Sequence, residues 1–256
     1  MVTWRLIFFY GLTNVCIYVR ILGSMRRGTM EKCVYLKEIP KEFKKTYLGS
    51  GQNGSCYLTS YGNVFKEYHI KGIDDEITKA LLELDYDGFT FPRQLVFVDG
   101  VFKGYLKQYI DGISLDNLSG LTDVKKLIIA LKKFEDSLKE LSYDKCLYVY
   151  DLNLRNLLYT KENKIYDIDT DSVSPFDFSF VNPWYENMKE LANALATNFI
   201  DGEFNSKRLK DLQRECLVIG CTRVSSFMSE AICEMEKNKK IETISDYKKG
   251  LTLLRK

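Results

Sequence analysis

The spacing of apolar and polar positions divides the chain into two textures. From about Val34 to Ile110 the spacing is mostly of period two, as in strands with one buried face. "SCYLTSYGNVFKEY" predicts two short strands around a Tyr61-Gly62-Asn63 turn. "RQLVFVDGVFKGYLKQYI" predicts a strand, an Asp99-Gly100 hairpin turn and a second strand. Between them "DDEITKALLELD" changes to helical spacing, with Ile77, Leu81 and Leu84 on one face and Asp74 and Asp75 at the dipole-favoured start. After Gly112 the helical period dominates. In "TDVKKLIIALKKFEDSLKEL", Val124, Leu127, Ile128, Leu131, Phe134, Leu138 and Leu141 fall at helical intervals, with Thr122 as the expected cap. "LLYTKENKIYDI" inserts a small hairpin, and helices are expected again over about 185–199, 206–219 and 222–238. The connector between the two textures lies near 111–119, where "DGISLDNLSG" gathers Asp, Gly, Ser and Asn. The expected fold class is α+β, with no internal repeat and no low-complexity tract.

The amino end fits neither texture. "WRLIFFYGLTNVCIYVRIL" (4–22) is apolar, but its uncharged run between Arg5 and Arg20 is 14 residues, short for a membrane span. Arg20, Arg26 and Arg27 would keep the following chain in the cytoplasm if it inserted. Three readings stay open: an upstream extension with the working protein starting at Met25 or Met30, a membrane anchor, or a helix packed on the domain. The expected division is 1–29 as an extension, 30–112 as a sheet-rich lobe and 113–256 as a helix-rich lobe.

Composition narrows the chemistry. The 256 residues are 45% hydrophobic and 28% charged, which fits a folded soluble protein. The net charge of +2 and the absence of a long Lys/Arg tract give no expectation of nucleic-acid binding. The seven cysteines form no CxxC pair, so reduced thiols in a cytoplasmic protein are expected, with membrane contact open only through 4–22. The single histidine, His69, excludes two-His metal sites. Carboxylates, amides and lysines must then carry any chemistry.

One stretch has such a set. In "VYDLNLRNLLYTKENKIYDIDTDS", Asp151 and Asn156 lie five apart in a loop, and Asp169 ends the hairpin's second strand. Phosphoryl transfer needs a carboxylate at the acceptor hydroxyl and hard oxygen ligands for Mg²⁺. Each of these residues alone reads equally well as a turn cap. Together, at this spacing, they read as chemistry.

These motifs resemble the protein-kinase-like superfamily, whose catalytic loop has the form D-L-x-x-x-x-N followed by an Asp-Phe-Gly. Here the matching residues are Asp151-Leu152, Asn156 and then Asp169-Thr170-Asp171. Upstream, Gly49-Ser50-Gly51-Gln52-Asn53-Gly54 matches G-x-G-x-x-G, and Lys66 matches the lysine of the third strand. The resemblance covers about 45–200. It implies a bilobal kinase-like fold, with a small antiparallel-sheet N-lobe and a larger helical C-lobe, binding ATP and Mg²⁺. It implies Asp151 at the acceptor hydroxyl, Asn156 and Asp169 on the metal with Asp171 as an added ligand, and Lys66 on the α/β-phosphates. Glu76, or in second place Glu83, would hold Lys66, and the backbone of Gln108 to Ile110 would face adenine.

The departures are as specific as the matches. Val149-Tyr150 replaces His-Arg, Asn153 stands where protein kinases carry a lysine, and Asp171 replaces glycine, as in aminoglycoside- and choline-kinase-like relatives. Lys107 falls at the gatekeeper-like position. The first expectation is an atypical protein Ser/Thr kinase. The alternatives are a small-molecule kinase and a non-catalytic nucleotide-binding protein. Phe176, Phe178, Phe180, Trp184 and Tyr185 read as core packing before a substrate pocket. Cys216 and Cys221 read as helix-packing thiols, Lys41, Lys44 and Lys45 as a solvated face, and His69 as a surface residue without a partner.

Overall fold

The computed structural model describes residues 32–69, 75–118, 123–175, 183–199 and 206–238. The first part of the chain forms β1 (Cys33–Leu36), β2 (Thr46–Ser50), β3 (Gly54–Leu58), β4 (Asn63–Tyr68), α1 (Asp75–Leu81), β5 (Pro92–Val98) and β6 (Val101–Gln108). These strands make one six-stranded sheet in the order β1-β5-β6-β4-β3-β2. The sheet is mixed, not antiparallel as expected, because β1 runs parallel to β5 with Cys33 opposite Leu95. The β5–β6 hairpin closes through Asp99 and Gly100, both with positive φ (48° and 75°), the geometry of a tight turn that follows strand twist.

Strand alternation sends neighbouring residues to opposite faces. Phe65, Val96 and Leu106 pack with Phe43 on one face, and Leu95, Phe97 and Tyr105 pack with Leu82 on the other. Lys66, next to Phe65, therefore belongs to the Tyr105 face, and it stands opposite Tyr105 on β6 and Cys56 on β3. Tyr68 and Lys107, two residues along their strands, share that face.

Helix α1 is shorter than its spacing predicts and turned differently. Thr78, Leu81 and Leu82 are buried, whereas Ile77 is exposed, so the inward face is set by the i, i+3, i+4 triplet and not by Ile77. Asp74 lies outside the described residues.

The rest comprises β7 (Gly112–Ser114), α2 (Val124–Lys145), β8 (Leu147–Val149), β9 (Leu157–Thr160), β10 (Ile165–Asp167), β11 (Val173–Pro175), α3 (Pro183–Phe199), α4 (Ser206–Ile219) and α5 (Thr222–Asn238). Helix α2 buries Leu127, Ile128, Leu131, Phe134, Leu138 and Leu141, the face its sequence predicts, within the largest core cluster. Its cap is Asp123, whose carboxylate accepts from the amides of Lys125 (3.0 Å) and Lys126 (3.4 Å), and not Thr122, which lies outside the described residues. Met188, Leu191, Leu209, Val224 and Met228 of α3, α4 and α5 complete that core. Cys216 and Cys221 are buried in it as expected, and none of the six described cysteines is in a disulfide.

Two backbone hydrogen bonds tie β10 to the connector before β5. Asp167 N donates to Gly88 O (2.8 Å) and Thr90 N donates to Asp167 O (3.1 Å), which together pair Asp167 with Phe89 in parallel. They carry the end of β10, and Asp169 after it, towards the Lys66 face of the sheet.

Trp184 packs partly buried on the main core, while Phe176, Phe178 and Phe180, and the Tyr185 side chain, lie outside the described residues. The expected solvated face holds at Lys41, Lys44 and Lys45, and Lys44 pairs with Glu67 at 2.7 Å. The membrane association left open for residues 4–22 is withdrawn. No helix among the described residues is long and apolar enough to cross a membrane, and residues 1–31 lie outside them.

Candidate functional site

The site is built around Lys66. Its side chain is 7% exposed, and its ammonium stands 2.6 Å from Asp169 Oδ1 and 2.6 Å from Asp171 Oδ2. The Asp169 contact is a hydrogen bond joining positions 103 apart in the chain. The Asp171 contact is an ion pair through Oδ2. Burial works against the Lys66 cation, but Asp171 and then Asp169 outweigh it and raise its pKa above the ordinary lysine value.

Asp171 is itself gripped from the sheet. Its Oδ1 accepts from Tyr105 Oη (2.7 Å) and Tyr68 Oη (3.0 Å). Burial, and then the Asp171 charge, push both phenol pKa values well up, so both hydroxyls keep their protons and donate. The expected pairing of Lys66 with Glu76 is not formed. Glu76 is exposed on α1, on the side away from Thr78 and Leu81. Glu83 is also exposed and pairs with Lys32 at 3.0 Å.

The glycine-rich segment forms the β2–β3 hairpin at the edge of this sheet, next to β4. Gly51 N donates to Gly54 O (2.9 Å) and His69 N donates to Asn53 O (3.0 Å), closing the turn. Gly51, Gln52 and Asn53 are exposed at its tip, and Ser50 accepts a bond from Tyr47 Oη at 2.8 Å. His69 is not without a partner, since its Nε2 lies 2.7 Å from Ser55 Oγ at the base of the hairpin. Gln108 is exposed and Ile110 buried where β6 leaves the sheet.

The loop 150–156 is shaped by its own polar residues. The Asn153 side-chain oxygen accepts from the amides of Arg155 (3.1 Å) and Asn156 (3.2 Å), a local turn that uses the side chain found where a lysine was the family expectation. Ile168 N donates to Asn156 O at 2.9 Å, which brings Asn156 beside the 168–169 backbone. Asp151 is exposed, and beside it opens a pocket of about 360 Å³, lined also by Asn153, Glu186, Asn187 and Glu190. Tyr150, in the place of an arginine, donates its hydroxyl to Pro175 O at 2.9 Å. A neutral bond thus fastens the segment after Asp169.

Asp169 and Asn156 carry hard oxygen donors on backbone that the Ile168–Asn156 bond joins, and the Asp169 side chain is 40% exposed, which fits a Mg²⁺ ion that keeps most of its waters. Asp171 does not fit as an added ligand, because Oδ1 serves two tyrosines and Oδ2 faces Lys66. No group of three or more His, Cys, Asp or Glu side chains among the described residues could hold a metal ion alone.

One buried residue of the site escaped sequence reasoning. Asp167 is fully buried and its Oδ1 accepts from Asp169 N at 3.0 Å, which fixes the backbone there. Burial raises its carboxyl pKa to about 8. Period-two spacing across "IYDID" is the signal that could have placed it inward with Ile165. Lys107 is also buried and donates to Ile168 O, and burial lowers its pKa. Cys56 lies near it, its thiol pKa raised by burial. No family model matches this chain, and no curated protein matches it.

Proposed function

We propose that this chain is an ATP- and Mg²⁺-dependent phosphotransferase with a bilobal kinase-like architecture, moving the γ-phosphoryl group to an acceptor hydroxyl. The observation that carries this reading is the contact of Lys66 with Asp169, 103 positions apart, on the sheet whose edge carries the glycine hairpin. A buried lysine held beside a part-exposed carboxylate is the kind of cation that a triphosphate and its metal require. Lys66 would hold the α/β-phosphates, and the hairpin's amides would cover them. Asn156 and Asp169 would hold Mg²⁺, which would supply charge neutralisation at the phosphates. Asp151 would accept the hydroxyl proton as the new O–P bond forms and the bond to the β-phosphate breaks, releasing ADP.

A protein Ser or Thr is one acceptor. The pocket beside Asp151 favours the other, a small hydroxyl compound, because its volume lies at the lower end of small-ligand pockets. Asn153 favours it too, since its side chain is committed to the loop turn. The test is ADP release and label transfer from γ-labelled ATP by the purified chain, beside Asp169→Ala and Asp151→Asn. Transfer by wild type and loss in both variants is expected. Wild type that neither binds ATP nor differs from Asp169→Ala would sink the reading.

A further inference from the structure

We propose that Asp171, held by Tyr68 and Tyr105, is the residue that positions Lys66, in place of a glutamate from α1. The inference rests on the phosphotransferase reading and specifies how its lysine is held. The two carboxylates on Lys66 are not equivalent. The Asp169 side chain is 40% exposed, whereas that of Asp171 is 15% exposed and has both tyrosine hydroxyls on one oxygen. The tyrosines stand on β4 and β6, the strands that carry and flank Lys66, so lysine, carboxylate and phenols form one rigid unit on the sheet.

Asp169, serving as a metal ligand, would have to turn from Lys66. Asp171, whose oxygens already have partners, is under no such demand. Asp171 therefore stays beside Lys66 when Asp169 leaves. It keeps the buried ammonium balanced at 2.6 Å. Helix α1, with Glu76 facing outward, is not needed to hold the lysine. Movement of α1 then cannot switch the site.

The experiment compares Asp171→Asn, Asp171→Glu, Tyr105→Phe, Glu76→Gln and Asp169→Asn in the full chain, with circular dichroism as a folding check. Three quantities are read. They are the KM for ATP against kcat, the binding of Mn²⁺ with ADP by electron paramagnetic resonance, and the acylation rate of Lys66 without nucleotide, by peptide mapping. Asp171→Asn should raise the KM for ATP by roughly tenfold or more, the scale of a lost charged contact. It should speed Lys66 acylation severalfold and leave Mn²⁺ binding unchanged, with Asp171→Glu partly restoring KM. Tyr105→Phe should move the same quantities less, and Glu76→Gln none of them. Asp169→Asn alone should weaken Mn²⁺ binding. If Glu76→Gln raises KM as Asp171→Asn does, or if Asp171→Asn weakens Mn²⁺ binding, the proposal is overturned. Wild type that binds no nucleotide defeats the phosphotransferase reading instead, while the acylation rates still report whether Asp171 holds Lys66.

Discussion

The three glycines of the β2–β3 hairpin look alike in sequence but meet different surroundings, and alanine at each position tests both the fold and the proposed use of the loop. A Cβ at Gly54 would lie 2.3 Å from Glu67 O, 3.1 Å from its carbonyl carbon and 3.3 Å from Tyr68 Cα. All three are backbone atoms of β4, directly across the ladder from Gly54. A carbon–oxygen contact relaxes only near ~3.3 Å, so β3 and β4 must part by about 1 Å, which takes ladder hydrogen bonds out of range. Overpacking of this kind costs about 2 kcal/mol, or roughly 4–8 °C in Tm for a chain of this size. At Gly49 and Gly51 a Cβ meets nothing within 4 Å. Alanine there should leave Tm unchanged or raise it slightly, by about 0.4–1 kcal/mol through the unfolded state. If the open space receives phosphates, the same two alanines should raise the KM for ATP severalfold. Thermal unfolding by circular dichroism and steady-state ADP release measure the two effects separately. A Gly51→Ala chain that melts as early as Gly54→Ala would refute the packing argument. Gly49→Ala and Gly51→Ala chains with unaltered KM would refute the phosphate cover.

Three further changes probe other parts of the structure. Gly104→Ala would put a Cβ 1.9 Å from Lys66 O, so soluble yield should collapse, and a folded variant with wild-type Tm would contradict the close approach of β6 to β4. Tyr150→Phe removes the 2.9 Å bond to Pro175 O; Tm should fall by about 2–4 °C, matching about 1 kcal/mol, and limited proteolysis after Val173 should quicken. Glu135 is buried and accepts a 3.2 Å bond from Cys221 Sγ, and burial raises its pKa above 4.5. Its folded pKa thus exceeds its unfolded one, so its stabilising contribution is full below pH 4.5 and is lost as pH rises through the folded value. Glu135→Gln should flatten the fall in Tm across that window, and parallel Tm–pH curves would show that the group does not ionise there.

What the sequence shows well is what local periodicity encodes. The face of α2, the Asp99-Gly100 turn, the β9–β10 hairpin and the helices over 206–219 and 222–238 are all legible, because each is specified by side chains within a few residues of one another. The parallel pairing of β1 with β5 is not, since its partners lie some sixty residues apart and no hairpin turn announces it. Ile77 misled for a related reason. In a helix of seven residues almost any apolar residue finds a helical partner, and only Leu82, packed on Leu95 and Tyr105 across the sheet, decides which side faces in.

The partner of Lys66 is the sharpest case. Resemblance supplied a glutamate on the next helix; α1 carries Glu76 and Glu83 follows it, but neither pairs with the lysine. Asp171 does, because β4 and β6 present Lys66, Tyr68 and Tyr105 on one face, and the backbone bonds of Gly88 and Thr90 to Asp167 bring the end of β10 to that face. The signal was present in pieces. Tyr68 follows Lys66 by two residues, and Tyr105 and Lys107 repeat the interval on β6, so period two alone groups four polar-tipped side chains on one surface. Such a surface, if buried, requires a counter-charge with room for several donors. An aspartate in a position that commonly holds glycine meets that requirement. What no local pattern could supply was the register between β4 and β6, which puts Tyr105 opposite Lys66 and so decides which carboxylate the lysine meets.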